Sequence, residues 1–214
     1  MPNWCDGEVE VYGSREDLEA ILAQAGKGTY KLETDWDSET RKYKNVSEQP
    51  NKFSFENFFP TPEELLVGEG WYNWRTANWG TKWDLSQSEL SLGEIQTADD
   101  PSKPYDLYFS IGLQTAWSPA FGVFEKISEQ YPEVHIEYRF VEEGMSFFGI
   151  ATFGEGQIFE DTRNITTEDL KLAGCVLDSE GNVDWEQTDE YDLYLALDTW
   201  KEYEPEKEGE KVNG

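Results

Sequence analysis

The fold class is decided by residues 105–140, which read YDLYFSIGLQTAWSPAFGVFEKISEQYPEVHIEYRF. From Leu107 onwards, apolar and polar residues alternate, which predicts a strand with one buried face. Ser118 and Pro119 then open a helix, because proline is tolerated at the first helical position, where its missing N–H has no helical partner. Pro132 ends this helix and a second alternating strand follows. This stretch therefore predicts a βαβ unit.

A second unit of the same kind begins the chain. Val9 and Val11 alternate with polar residues, which predicts a strand, and Ser14 is suited to cap the helix that follows, with Gly26 as its stop. Residues 53–58 alternate again and predict another strand. Two such units are typical of an α+β fold of the ferredoxin-like type, a split βαβ antiparallel sheet with helices on one face, here with extra strands.

The composition divides the chain into three parts. We expect residues 1–156 to form the ferredoxin-like domain, residues 157–201 a small acidic extension, and residues 202–214 a disordered tail. Within the first part, residues 27–52 are polar and irregular, which predicts a mobile loop or a short hairpin insertion. Residues 175–185 carry a hairpin signal around a central turn.

The charge balance excludes several functions. The 214 residues include 17 Lys and Arg against 45 Asp and Glu, a formal net charge of −28. Direct binding to nucleic acid needs a basic face, and an anionic membrane surface would repel such a chain. No apolar run approaches the length of a membrane span, and the first residues do not resemble a secretory signal, so we expect a cytoplasmic protein.

The aromatic content indicates a folded core despite that charge. The chain has nine Trp, eleven Tyr and twelve Phe, and each such side chain can bury roughly 150–250 Å². We therefore expect a compact, ring-rich interior beneath an acidic surface.

Catalytic and metal motifs are scarce in the sequence. His135 is the single histidine, and Cys5 and Cys175 are far apart, outside any CxxC pair. A nucleophile elbow and a glycine-rich phosphate loop are both missing. We predict a protein that is not an enzyme and that uses neither a metal nor a cofactor.

Five separated motifs occur together in the order of a known family. The chain resembles the YubB-like family of phage and plasmid proteins over about residues 1–156, a resemblance that implies a ferredoxin-like domain and carriage on mobile elements. The cytoplasm expected above would then be that of a host cell. The chain departs from the family pattern at Asp6-Gly7, where an Asn is usual, and at Ala120, where a second Pro is usual. The resemblance implies no catalytic residue. The motifs are Met1-Pro2-Asn3-Trp4-Cys5, Asn78-Trp79-Gly80-Thr81-Lys82-Trp83-Asp84, Thr115-Ala116-Trp117-Ser118-Pro119, Tyr131-Pro132, and Glu142-Glu143-Gly144 followed by Phe148-Gly149.

Four tryptophans within residues 71–83 suggest either a core segment or a binding platform. We expect Trp79 and Trp83 to lie in the core. Trp71 and Trp74 could stack on a planar ligand while nearby Lys and Arg side chains pair with its anionic group. Such a site would suit a protein that sequesters a nucleotide immune signal. The residues assigned to this ligand-binding alternative are Trp71, Trp74, Arg75, Lys82, Arg41 and Lys42.

Acidic residues concentrate in the C-terminal third, without an intervening Lys or Arg. They indicate docking to a basic host protein, including mimicry of a nucleic-acid backbone, although acids often only keep a surface solvated. Together with the family resemblance, this favours a counter-defence protein that binds and blocks a host defence component through an acidic, aromatic-anchored surface. The residues assigned to partner binding are Asp178, Glu180, Asp184, Glu186, Asp189, Glu190 and Asp192.

Overall fold

The computed structural model of this protein describes residues 3–101, 103, 105–154 and 156–202, with side chains described up to residue 199. The tail predicted for residues 202–214 lies outside the described residues, apart from residue 202 at the end of the last helix. The strands are β1 (Trp4–Tyr12), β2 (Thr29–Asp37), β3 (Lys42–Pro50), β4 (Ser91–Leu92), β5 (Gln96–Thr97), β6 (Leu107–Ala116), β7 (His135–Glu142), β8 (Phe147–Gly154) and β9 (Gln157–Asn164). The helices are α1 (Arg15–Ala25), α2 (Gly70–Asn78), α3 (Phe121–Gln130), α4 (Thr167–Leu172) and α5 (Leu193–Glu202).

The main sheet has the order β4-β6-β1-β7-β8-β9, with β5 also paired to β6. Strand β1 lies between β6 and β7 and is antiparallel to both, so β6 and β7 are parallel to each other, with α3 in their connection. Strand β6 in turn separates β1 from β4, which are also parallel, with α1 in their connection. Each βαβ unit is split by a strand of the other, as in ferredoxin-like domains. The predicted fold class is confirmed.

The sheet continues beyond residue 156, where the sequence placed the end of the domain. Strand β9 pairs with β8 along its whole length. Helices α1 and α3 pack on one face of the sheet, as expected, whereas α5 covers part of the other face. Leu193 and Leu197 of α5 pack there in one cluster with Val141 and Phe148. The acidic extension is therefore joined to the domain by a strand and by a second, smaller core.

The insertion between α1 and β4 contains a hairpin, helix α2 and irregular segments. Residues 27–52 form the hairpin of β2 and β3, one of the two alternatives expected. The strand predicted over residues 53–58 is wrong, because a short 3₁₀ turn, Phe55–Asn57, occupies that place. The Asp84 carboxylate accepts the Phe55 backbone N–H at 2.8 Å, so a side chain takes the hydrogen bond that a neighbouring strand would have taken.

Aromatic rings fill the space between the sheet and the two helices. Phe124 of α3 meets Tyr138 of β7 edge to face, with ring centroids 5.1 Å apart, and Phe121 meets Phe140 in the same way at 5.3 Å. Phe153 of β8 completes the group and is fully buried. Such pairs add roughly 0.5–1.5 kcal/mol each beyond the area that they bury. The expected ring-rich core is present.

Two phenylalanines on neighbouring strands provide a matched test of this core. We expect Phe153→Ala to lower the free energy of unfolding by about 3–5 kcal/mol, because it removes a buried ring and leaves a cavity. Phe159→Ala should change it by less than about 0.5 kcal/mol, since that side chain is 78% exposed. Urea denaturation of both variants measures the difference, and equal losses would contradict the described packing.

Candidate functional site

The acids predicted to bind a partner lie in residues 175–192, which connect α4 to α5. One β-bridge closes the predicted hairpin. At its turn the Asp178 carboxylate accepts the backbone N–H groups of Asn182 at 2.9 Å and Glu180 at 2.8 Å. These hydrogen bonds favour the charged carboxylate and hold the pKa of Asp178 below its ordinary value. This acid therefore has a structural role in the turn.

Two further acids of the segment also bind backbone groups. The Asp184 carboxylate accepts the N–H of Glu186 at 3.0 Å, and the Asp192 carboxylate accepts the N–H of Tyr194 at 2.9 Å, at the beginning of α5. Thr188, a few residues before α5, accepts the N–H of Val176 at 3.0 Å and so also holds this segment together.

The other four acids of the segment are Glu180, Glu186, Asp189 and Glu190, and all four are exposed. None of the seven predicted acids forms an ion pair with a described Lys or Arg side chain. Trp185 lies among them with 63% of its surface exposed. We call Trp185 and the seven acids the acidic surface. It carries negative charge that the described part of the chain does not neutralise.

A pocket of about 330 Å³ adjoins the acidic surface. Trp185 and Tyr191 are part of its lining, with ring centroids 5.5 Å apart in an edge-to-face arrangement. The Tyr191 hydroxyl donates a 2.6 Å hydrogen bond to the Glu143 carboxylate, and this bond together with burial raises the pKa of Tyr191 to about 12. The apolar lining includes Ile165, Leu170 and Leu193.

Sequence reasoning missed the three side chains that distinguish this pocket. Trp185 stands between two acids in the hairpin, so an aromatic residue within an acidic run was the available signal. Glu143 and Tyr191 are 48 positions apart, and only the folded chain brings them together.

Helix α2 uses its predicted ligand-binding residues to hold the fold. Arg75 forms an ion pair with Glu56 and donates to the Thr61 hydroxyl at 2.9 Å. Its guanidinium also lies 4.5 Å from the centroid of the Trp79 ring, which is fully buried as expected. Trp74 packs edge to face against that same ring. Arg75 thus has an acidic partner within the protein.

Lys82 lies in a different cluster, with tryptophans that come from two segments of the chain. Its ammonium is 3.7 Å from the centroid of Trp83 and 4.1 Å from that of Trp117, and no described carboxylate pairs with it. Trp83 is 38% exposed, so the expectation that it lies in the core is wrong. Trp117 has a φ of 70°, which bulky residues seldom adopt, and its N–H donates to the Asn3 carbonyl at 3.0 Å. Trp4 joins the cluster through a contact with Trp83.

The six residues of the ligand-binding alternative therefore occupy three places. Arg41 and Lys42 lie at the tip of the β2–β3 hairpin, and Trp71, Trp74 and Arg75 lie on α2. Lys82 lies with Trp83 and Trp117. Among the described residues, the structure records no contact that joins these three places into one site.

The described residues give no indication of metal chemistry. No three His, Cys, Asp or Glu side chains converge there in a way that could hold a metal ion. His135 has Nε2 3.7 Å from the Glu137 carboxylate, and Cys5 and Cys175 are buried and free. Within the same part of the chain, each helix is too short or too polar to cross a bilayer.

Part of this chain is similar to known proteins. Residues 78–172 match the family model of the ferredoxin-like domain in Api92-like proteins. The match begins at the last residue of α2 and runs through β9 and α4, so it includes the βαβ unit of β6, α3 and β7. A crystal structure of protein api92 from Yersinia pseudotuberculosis is similar to this chain with a TM-score of 0.42 and 8% identity, covering 78% of this chain and 99% of that one. No curated protein matches the chain.

The structural role of Arg75 can be tested by its removal. We expect Arg75→Ala to lower the free energy of unfolding by about 2 kcal/mol, because Glu56 and Thr61 would lose their shared partner in a partly buried site. Lys31→Ala, at an exposed position of the hairpin, should change it by less than about 0.5 kcal/mol. Thermal unfolding of both variants checks this. If Arg75→Ala did not lower the free energy of unfolding, Arg75 would have no structural role and its side chain would be free for a ligand.

The turn around Asp178 has a defined pH dependence. A carboxyl with a lowered pKa in the folded protein contributes stability above its unfolded pKa, and this contribution disappears as the pH falls through the folded pKa. We expect NMR titration to give Asp178 a pKa below about 3.9, the ordinary value. The amide signals of Glu180 and Asn182 should move with the same midpoint. A midpoint at or above the ordinary value would mean that these hydrogen bonds are not formed in solution.

Proposed function

We propose that this protein acts by binding and not by turnover, as a phage or plasmid counter-defence protein in the cytoplasm of the host cell. It would dock its acidic surface onto a basic face of a host defence protein and block that face. The observation that supports this best is the set of exposed carboxylates around Trp185 that the described Lys and Arg side chains do not neutralise. The resemblance to YubB-like proteins supports the phage or plasmid origin.

Physical chemistry accounts for how such a surface would work. A net charge of −28 attracts a basic partner over a distance and speeds the encounter. The exposed carboxylates would then occupy positions that phosphates take on the partner, which is the basis of nucleic-acid mimicry. Trp185 would supply the aromatic anchor that interfaces favour at their centre. Binding of this kind weakens as salt screens the charges.

The experiment compares two variants that lose the same charge at different places. One carries Glu180→Gln, Glu186→Gln, Asp189→Asn and Glu190→Gln. The control carries Glu63→Gln, Glu64→Gln, Glu69→Gln and Glu94→Gln, all exposed positions outside the acidic surface. Each variant is used to capture proteins from a bacterial host lysate at low and at physiological salt, and is scored for phage plating on strains that carry single defence systems.

We expect the unaltered protein and the control to capture the same basic host protein and to restore plating equally. The first variant should lose at least tenfold in affinity for that protein and fail to restore plating, because it removes four negative charges that would attract the basic face of the partner. Equal behaviour of the two variants, or a capture that salt does not weaken, would contradict the proposal.

A second candidate function rests on Lys82. This cation contacts two half-exposed tryptophan rings and lacks a described carboxylate partner, an arrangement that would suit a planar anion such as a nucleotide immune signal. The strained backbone of Trp117 supports a binding role, because strain of this kind tends to occur at functional sites.

Calorimetry against a panel of cyclic nucleotides tests this candidate. We expect binding that Lys82→Met weakens at least tenfold and that Lys31→Met leaves unchanged. The affinity should rise with salt, since the negative charge of the whole protein repels the ligand and salt screens that repulsion. The absence of a binding heat for every nucleotide of the panel would rule out this candidate function.

A further inference from the structure

The pocket beside the acidic surface combines apolar walls with one carboxylate. Ile165, Leu170 and Leu193 give it an apolar lining, and Trp185 and Tyr191 add two aromatic rings. Its volume of about 330 Å³ is at the lower end of the range for small-molecule sites, and so it suits a single long side chain. The hairpin turn also contributes to its lining, which places the pocket next to exposed carboxylates.

Glu143 is the charged group of this pocket. One of its carboxylate oxygens accepts the Tyr191 hydroxyl at 2.6 Å, and the other accepts no hydrogen bond from the described residues. Glu143 is exposed, and it takes part in none of the ion pairs among the described residues. The tyrosine therefore orients a carboxylate that still has an oxygen available for a donor.

These features select one kind of ligand. An anion would be repelled by Glu143 and by the surrounding acids, and a purely apolar group would gain nothing from the free oxygen of that carboxylate. A guanidinium group is planar, so it can donate to the free oxygen of Glu143 while its plane stacks on aromatic rings, whereas an ammonium is a compact point charge. The apolar stem of an arginine can line the walls while its head reaches the carboxylate.

We infer that this pocket binds an arginine side chain of the basic partner, with the guanidinium on Glu143 and its stem and plane against Trp185 and Tyr191. The inference rests on the proposed function for the source of the arginine, which is a protein and not a free amino acid. It adds the specific anchor that the acidic surface alone does not provide. Long-range charge would bring the partner close, and the pocket would fix its register.

The test uses three capped amino acids that share a backbone. N-acetyl-arginine amide, N-acetyl-lysine amide and N-acetyl-citrulline amide are titrated into the full chain, and the Trp185 indole signal is followed by NMR. Citrulline has the shape of arginine without its charge, and lysine has the charge without the plane. We expect the arginine probe to bind at least fivefold more tightly than the lysine probe and at least tenfold more tightly than the citrulline probe, and to shift the Trp185 signal.

Matched variants locate the binding. Glu143→Gln should weaken the arginine probe at least tenfold, and Glu64→Gln, the same charge change at a distant exposed position, should leave its affinity within twofold. Trp185→Phe should retain binding that Trp185→Ala loses, since a ring remains. The melting temperature of each variant shows that it is folded. Equal affinity for arginine and lysine, an unaffected Glu143→Gln variant, or binding without a change at Trp185 would each overturn the inference.

The failure of this inference is distinguishable from that of the proposed function. If the acidic-surface variant no longer captures the host protein while Glu143→Gln leaves the affinity for the capped probes unchanged, the pocket assignment is wrong and the proposed function stands. If the arginine probe binds at Glu143 but capture does not depend on the acidic surface or on salt, the proposed function is wrong and the pocket assignment stands.

Discussion

The packing of aromatic rings between the sheet and helices α1 and α3 is the interaction on which the rest of this structure depends. A chain with a net charge of −28 repels itself when it becomes compact, and its aliphatic content is modest. The ring contacts of Phe124 with Tyr138 and with Phe153 bury large apolar areas in a small volume. Because this core stabilises the fold, the surface does not need a cation for every carboxylate.

Sequence reasoning predicted the elements that present one face to this core. Strands β1, β6 and β7 alternate clearly, and Ser14 accepts the N–H of Asp17 at 3.1 Å as a helix cap should. Strand β9 escaped prediction because its side chains are almost all exposed, so its pairing with β8 leaves no hydrophobic pattern. The turn at Phe55 escaped because its hydrogen-bond partner, Asp84, lies 29 positions away.

The candidate sites show the same division between local and distant signals. Composition alone located the acids of the acidic surface, but it could not separate Asp178, whose carboxylate binds its own turn, from Glu180, whose carboxylate accepts no hydrogen bond from the described residues. The pattern of tryptophans suggested a binding platform. In the structure, however, Arg75 forms an ion pair with Glu56, and Lys82 contacts Trp117, a residue far from it in sequence. The sequence shows where charged residues occur, whereas the folded structure is needed to show which of them are neutralised by an ion pair.

The central claim is that an aromatic core stabilises a chain in which the acids around Trp185 have no cationic partner among the described Lys and Arg side chains. The free energy of unfolding measured by urea denaturation between about 20 mM and about 200 mM NaCl tests it most directly, because salt screens repulsion between exposed charges. The account predicts a rise of about 1 kcal/mol or more, most of it lost when the acids around Trp185 are replaced by amides. A free energy that stays constant or falls with salt would mean that these acids are already neutralised, and would contradict the account.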